Sequence, residues 1–293
     1  MSKQSGSSHR QKEAYRIVKL ANGAHSVHSL AHAETFHPVI GPIAEAEALY
    51  VRQLRLLETL HKHPGRFVIW DVGLGAAANV IAVIQATRQL RCSLQFVSFD
   101  QTLQPLEFAL ENARYLPYLA GYEPHVRSLL ETQHVFFEQA AQTVCWDLHL
   151  ADFPSLLEQP IAGSLPKPHA IMFDAFSPAK NPAMWTQPLF ANLFGLLAPN
   201  QPCALPTYSR STMLRVTLLL AGFFVGVGHA SGEKEETTIA ANALELIAEP
   251  LDSRWLERAR RSTSAEPMWE PLYRQLPLSA ETWLKLKQHR QFT

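Results

Sequence analysis

The chain has 293 residues, with 26 Lys and Arg against 26 Asp and Glu, so it carries no formal net charge. Hydrophobic residues at 47% and charged residues at 18% exclude a disordered tail, and the neutral balance excludes nucleic-acid binding through bulk basicity. The charge is unevenly placed: residues 1–30 hold five bases and one acid, residues 251–293 eight and five, and residues 31–250 thirteen and twenty.

Residues 1–14 read as a flexible lead. Tyr15–Leu20 and His25–Leu30 alternate around Asn22-Gly23, which predicts a β-hairpin. Ile43–Leu60 has apolar residues at helical spacing and ends at Pro64-Gly65, so residues 15–65 are expected to form a hairpin and helix packed on a catalytic domain. A strand–helix rhythm follows over residues 66–249. The strand Phe67–Val72 breaks on Gly73-Leu74-Gly75 and leads into a helix through Leu90. Leu94–Asp100 is the second strand, and Leu103–Arg114 is helical. Residues 115–141 are expected to be mostly helical before a third strand, Val144–Ala151, which ends at Asp152.

The fourth strand, His169–Asp174, enters a Pro-rich loop, Ala175–Pro188. The helix Leu189–Leu197, the strand Cys203–Tyr208 and the helix Ser211–Ala221 come next. Phe223–Val227 and Thr237–Leu246 are separated only by a turn and are expected to pair antiparallel at an edge. Residues 250–293 read as a basic, helical appendage. Strands alternating with helices imply an α/β domain with a mainly parallel sheet.

Several classes are disfavoured. Cys92, Cys145 and Cys203 form no CxxC or CxxH pair, which suits reduced thiols better than a disulfide framework or zinc site. His61 with His63, and His25 with His28, lack partners at ligand spacing, so no metal is expected. The N-terminus has no apolar signal core, and the uncharged stretch Val216–Gly232 is 17 residues against the roughly 20 of a membrane span. A cytoplasmic protein without membrane association is expected. Ser209 and Ser211 lack a nucleophile elbow, and Glu233–Glu236 reads as a solvated turn.

The chemistry concentrates at strand ends. Gly73, Leu74 and Gly75 lie between strand and helix, where glycines allow a tight turn close to a ligand; Asn79 follows. The third glycine of a dinucleotide fingerprint is an alanine here. Asp100, with Gln101 after it, ends the second strand about 25 residues later, where a carboxylate can accept ribose hydroxyls. Asp152 is placed to take an adenine amino proton, with Phe153 covering the base; a helix cap is the competing reading. Asp174 ends the fourth strand, and Asp71 the first. This succession resembles a class I S-adenosylmethionine-dependent methyltransferase, a Rossmann-like fold whose last two strands are also antiparallel.

The segment Phe173-Asp-Ala-Phe-Ser-Pro-Ala-Lys-Asn-Pro-Ala-Met-Trp185 resembles more narrowly the methyltransferase domain of the MnmC type. That family completes 5-methylaminomethyl-(2-thio)uridine at the tRNA wobble position. Asp174, Phe176, Pro178, Lys180, Asn181, Pro182, Met184 and Trp185 match its loop motif. Thr207-Tyr208-Ser209, Leu219–Phe223 and Gly232-x-Lys234 match further on, and Glu34–His37, Gly41, Glu47 and Tyr50 resemble its N-terminal segment. The family's Gly-Phe-Gly-Thr-Gly-Leu-Asn is altered to Gly73-Leu-Gly-Ala-Ala-Ala-Asn79, and its Pro-Gly-Gly to Pro199-Asn-Gln.

The resemblance implies S-adenosyl-L-methionine as cofactor and tRNA as partner. Tyr50, Gly73, Leu74, Gly75, Asn79, Asp100, Gln101, Asp152 and Phe153 are expected to bind the cofactor. Asp174, Phe176, Lys180 and Asn181 are expected to be catalytic, with Asp174 orienting the amine and assisting its deprotonation. Phe176, Pro178 and Trp185 are expected to wall the pocket and stack the base, and Arg254, Arg258, Arg260 and Arg261 to meet phosphates. The bifunctional members also carry a flavin-dependent oxidase, whereas this chain resembles a stand-alone form. Its substrate is therefore expected to bear a free aminomethyl group, made by a separate enzyme. A polyamine aminopropyltransferase-like or other small-amine transferase, and an idle cofactor- or tRNA-binding protein, are the alternatives.

Overall fold

The computed structural model describes residues 14–232 and 235–293. The lead expected over residues 1–14 and the Gly232-x-Lys234 match therefore lie largely outside the described residues. The N-terminal strands are β1 (Tyr15–Lys19), β2 (His25–Ser29) and β3 (Glu34–Thr35), joined antiparallel in that order. Asn22 and Gly23 make the first turn as expected: Asn22 Oδ1 accepts the Ala24 N–H at 3.0 Å, and Gly23 takes φ +87°. β3 extends the expected hairpin by a strand, with His28 opposite Thr35.

The single helix expected over 43–60 is divided. Helix α1 (Pro42–Ala46) passes into a π-helical turn over Glu47–Arg52, and α2 (Leu56–Lys62) restarts after Arg55, whose φ is +49°. The apolar spacing is still used, because Leu49, Tyr50, Leu56 and Leu60 are all buried.

Eight further strands form a mixed sheet: β4 (Arg66–Val72), β5 (Ser93–Asp100), β6 (His134–Gln139), β7 (Gln142–Leu150), β8 (Ala170–Phe173), β9 (Ala204–Thr207), β10 (Phe224–Gly228) and β11 (Thr237–Ala241). Their order is β10-β11-β9-β8-β4-β5-β7-β6. Neighbours β4 and β8, β8 and β9, and β5 and β7 are parallel. β11 is antiparallel to both β9 and β10, so the expected pair is present with β11 inserted inside the edge strand. This is the class I methyltransferase sheet, with one addition. β6 pairs antiparallel with β7 where residues 115–141 read as mostly helical. Helix α5 (Glu123–Thr132) does form there, but His134–Gln139 alternates exposed and buried residues as a half-covered strand does.

The described residues divide into two compact units: those up to residue 67 with 73–151, and residues 68–72 with those from 152 onward. The first unit packs around α3 (Ala78–Thr87), which is buried nearly all round as its largely apolar sequence requires. Two of its buried polar side chains are paired as follows: Trp146 Nε1 donates to Ser98 Oγ at 2.9 Å, and Gln142 Nε2 to the Ile84 carbonyl at 2.9 Å. Helix α4 (Gln104–Glu111) also belongs to this unit.

The second unit is centred on Phe173, Trp185 and Phe190, whose rings meet at 5.1–6.5 Å. It contains α6 (Phe153–Leu157), α7 (Gln187–Leu196), α8 (Thr212–Leu220), α9 (Ser253–Arg261) and α10 (Ala280–Lys287). The C-terminal appendage is thus two helices with irregular chain between them. The appendage and the residue before it cover the open side of β10: Val227 N–H donates to the Glu249 carbonyl at 2.9 Å, Leu251 N–H to the Val225 carbonyl at 3.0 Å, and Gln291 brackets Val225 with two bonds of 2.7 Å. Gly226 permits this approach, since a Cβ there would meet Ile247 Cγ2 at 2.2 Å.

Candidate active site

In the first unit the turn after β4 is bound to the end of β5 through the backbone. The N–H groups of Gly73 and Leu74 both donate to the Phe99 carbonyl, at 3.0 and 3.3 Å. The Gly75 N–H donates to Asp100 Oδ2 at 3.0 Å, and the Thr102 N–H to Asp100 Oδ1 at 3.2 Å. Burial pushes the Asp100 carboxyl up, while the backbone N–H groups of Gly75, Thr102 and Gln101 pull it down. Gly73, Leu74, Gly75, Asp100 and Gln101 therefore come together. Tyr50 and Asn79 are fully buried in the same unit.

Two features of the turn were not readable in the sequence. Gly73, Gly75 and Ala77 have φ of +96°, +51° and +62°, so the altered glycine pattern still adopts left-handed backbone at three places. The space beside Gly75 is filled by Phe36, whose Cε2 would lie 3.2 Å from an added Cβ. Phe36 belongs to the N-terminal segment that resembles the family, and nothing in its spacing announces this contact.

The ribose reading of Asp100 fits what is present. A carboxylate offers about four acceptor positions, and three backbone N–H groups address this largely buried one. Capacity remains for a hydroxyl donor.

In the second unit Asp152 caps α6, accepting the Ser155 N–H at 3.2 Å, while Phe153 is buried behind it. The cap reading of Asp152 is thus realised through Oδ2. Helix α6 packs against the turn Pro182–Trp185 that closes the loop after β8. Asp174 opens that loop; it is half-buried and its N–H is held by the Val72 carbonyl at 2.9 Å.

The loop is fixed by two aromatic donors. The Tyr208 hydroxyl donates to the Ala175 carbonyl at 3.0 Å, and Trp185 Nε1 donates to the Phe176 carbonyl at 2.7 Å. The two rings meet edge to face at 5.9 Å. Farther along, the Ser177 carbonyl accepts the N–H groups of Lys180 and Asn181, both at 2.8 Å. Trp185 is only 1% exposed, so it holds the loop from behind, and its ring presents no open face to a base. Phe176, Pro178 and Asn181 are half-buried, and Lys180 is exposed. Tyr208 lay within a matching tripeptide, but its task depends on a contact 33 residues away.

Arg254, Arg258, Arg260 and Arg261 lie on the exposed side of α9, whose other side buries Trp255, Leu256 and Ala259. Arg260 lies 4.9 Å over the Trp283 ring. Among the described residues, no helix is long and apolar enough to cross a membrane.

Residues 120–243 match a family described as S-adenosyl-L-methionine-dependent methyltransferase. The chain is 27% identical over 248 residues to the tRNA 5-methylaminomethyl-2-thiouridine biosynthesis bifunctional protein MnmC of Ectopseudomonas mendocina, an alignment covering 81% of this chain and 36% of that protein. It is 30% identical over 230 residues to the protein of the same name from Methylibium petroleiphilum, covering 76% and 34%. The chain therefore spans about a third of the length of the curated relatives it matches. Among solved structures, MNMC2 from Aquifex aeolicus superposes with a TM-score of 0.67 at 22% identity, over 94% of this chain and 85% of that one. That likeness concerns the fold. The cofactor of the matched family is S-adenosyl-L-methionine.

Proposed function

We propose that this chain, whose residues 120–243 match the S-adenosyl-L-methionine-dependent methyltransferase family, methylates the amine of 5-aminomethyl-(2-thio)uridine at the tRNA wobble position. The observation that carries this reading is the loop from Asp174 to Trp185, whose sequence matches the family's motif and whose Ala175 and Phe176 carbonyls are held by Tyr208 and Trp185. Relatives named for 5-methylaminomethyl-2-thiouridine biosynthesis, aligned over 71–81% of this chain, support the substrate.

When bound, the cofactor supplies an electrophilic methyl group on a sulfonium. What remains for the protein is to bring a neutral amine into line and to remove its proton. An aminomethyl group is mostly protonated at neutral pH and then lacks the lone pair that attacks. Asp174 is the group proposed to orient this amine and accept its proton. Phe176 and Pro178 are proposed to receive the base, Asn181 and Lys180 to line the loop beside it, and Trp185 and Tyr208 to hold the loop's carbonyls. Asp100, Gln101, the Gly73–Gly75 turn, Tyr50, Asn79, Asp152 and Phe153 are proposed as the cofactor set. The arginines of α9 are proposed to meet tRNA phosphates.

The substrate already bears a primary amine in this reading, so a separate activity has to expose it, and the setting is the cytoplasm. The experiment is transfer of labelled methyl from S-adenosyl-L-methionine to tRNA from cells lacking the modification, followed by nucleoside mass spectrometry. The expected product is one added methyl on aminomethyluridine. Label on free polyamine or on protein instead overturns the reading.

A further inference from the structure

The β6–β7 hairpin carries a group of side chains that methyl transfer does not use. Val135, Phe137, Val144 and Trp146 are buried on one face, leaving His134, Cys145 and Asp147 together on the other. The register sets His134 directly opposite Asp147, and Cys145 lies two residues before Asp147. His134 Nδ1 is 2.7 Å from Asp147 Oδ1, and Cys145 Sγ is 3.8 Å from Asp147 Oδ2. One ligand atom from each residue lies within 4.8 Å of the other two. Gln95 on β5 steadies the carboxylate, donating to Asp147 Oδ2 at 3.0 Å.

We propose that His134, Cys145 and Asp147 form a three-ligand site for a divalent cation of the zinc type. An imidazole nitrogen, a thiol sulfur and a carboxylate oxygen are the donors such a borderline cation takes, whereas magnesium and calcium select oxygen alone. Bonds of about 2.0–2.3 Å in tetrahedral geometry put donors roughly 3.3–3.8 Å apart; the 3.8 Å from Cys145 Sγ to Asp147 Oδ2 matches that spacing, and the 2.7 Å contact between His134 and Asp147 has to open as the cation replaces their hydrogen bond. The His134 side chain is 55% exposed, so water can complete the coordination. As the Cys145 sulfur bonds the cation, its thiol proton leaves to solvent, and no electron is transferred.

The site would tie β6, at the end of the sheet order, to β7 through side chains as well as backbone. A search for ligand spacing along the sequence misses it, because hairpin register and strand alternation create the cluster.

The test uses the full chain, stripped with a chelator and titrated with Co2+ as the spectroscopic probe. The expected result is one Co2+ per chain with a thiolate-to-cobalt absorption band that Zn2+ displaces. The band is lost in Cys145→Ser and kept in Cys92→Ser. His134→Asn, a change at an exposed position, weakens binding, and Gln95→Ala weakens it about tenfold. No thiolate band in the unaltered chain, a band that survives Cys145→Ser, or affinity unaltered by His134→Asn overturns the proposal.

Discussion

The indole N–H of Trp185 donates to the carbonyl of Phe176 at 2.7 Å, across the loop that begins at Asp174. A residue expected to stack on a base is instead buried and fixes the backbone beside the proposed reacting group. Trp185→Phe keeps an aromatic ring against Phe173 but deletes the donor. Leaving the carbonyl without this partner costs about 1–3 kcal/mol. Thermal unfolding should show the loss, and methyl transfer should fall while cofactor affinity holds. Weakened tRNA affinity at unchanged stability would instead indicate stacking.

At the glycine turn, steric and backbone effects can be separated. Gly75→Ala places a methyl 3.2 Å from the Phe36 ring at a residue with φ +51°. The left-handed backbone alone costs about 1–2 kcal/mol. In a cycle with Phe36→Ala, the steric part should vanish and the backbone part remain, so the double variant is more stable than the sum of single losses. Simple additivity in denaturant unfolding contradicts the contact.

Much of this architecture was legible because parallel sheets force strands and helices to alternate, and because acids at strand ends stand out against apolar runs. β6 is hard to see in the sequence because Phe136, exposed between the buried Val135 and Phe137, breaks the alternation of apolar and polar residues. The break at Arg55 has no Gly or Pro to mark it. The loop clamp was out of reach for a different reason. Tyr208 and Ala175 are 33 residues apart, and only the packing of β8 against β9 brings them together. Asp152 shows a third case, in which sequence offered two partners for one carboxylate and the helix cap is visible.

His289 makes stability depend on pH. Burial, then the neighbouring Arg290, holds its imidazole down at about 4 against an ordinary 6.5. A depressed histidine contributes fully above pH 6.5, and its contribution is lost as pH falls toward 4. The unfolding temperature should therefore drop over this window, and His289→Gln should flatten part of the drop. An equal drop in the variant contradicts the assignment.

The exposed arginines of α9 predict a salt effect. Replacing Arg254, Arg258, Arg260 and Arg261 with Gln should weaken tRNA binding and reduce the slope of log affinity against log salt by up to about 3. Cofactor affinity should not change. An unaltered slope contradicts phosphate contact by this face.

The most direct measurement is single-turnover methyl transfer to hypomodified tRNA by the Asp174→Ala variant, with cofactor binding followed in parallel by calorimetry. If Asp174 orients and deprotonates the amine, cofactor affinity stays normal while transfer slows by about 100-fold or more. Near-normal transfer together with normal cofactor binding would contradict the account.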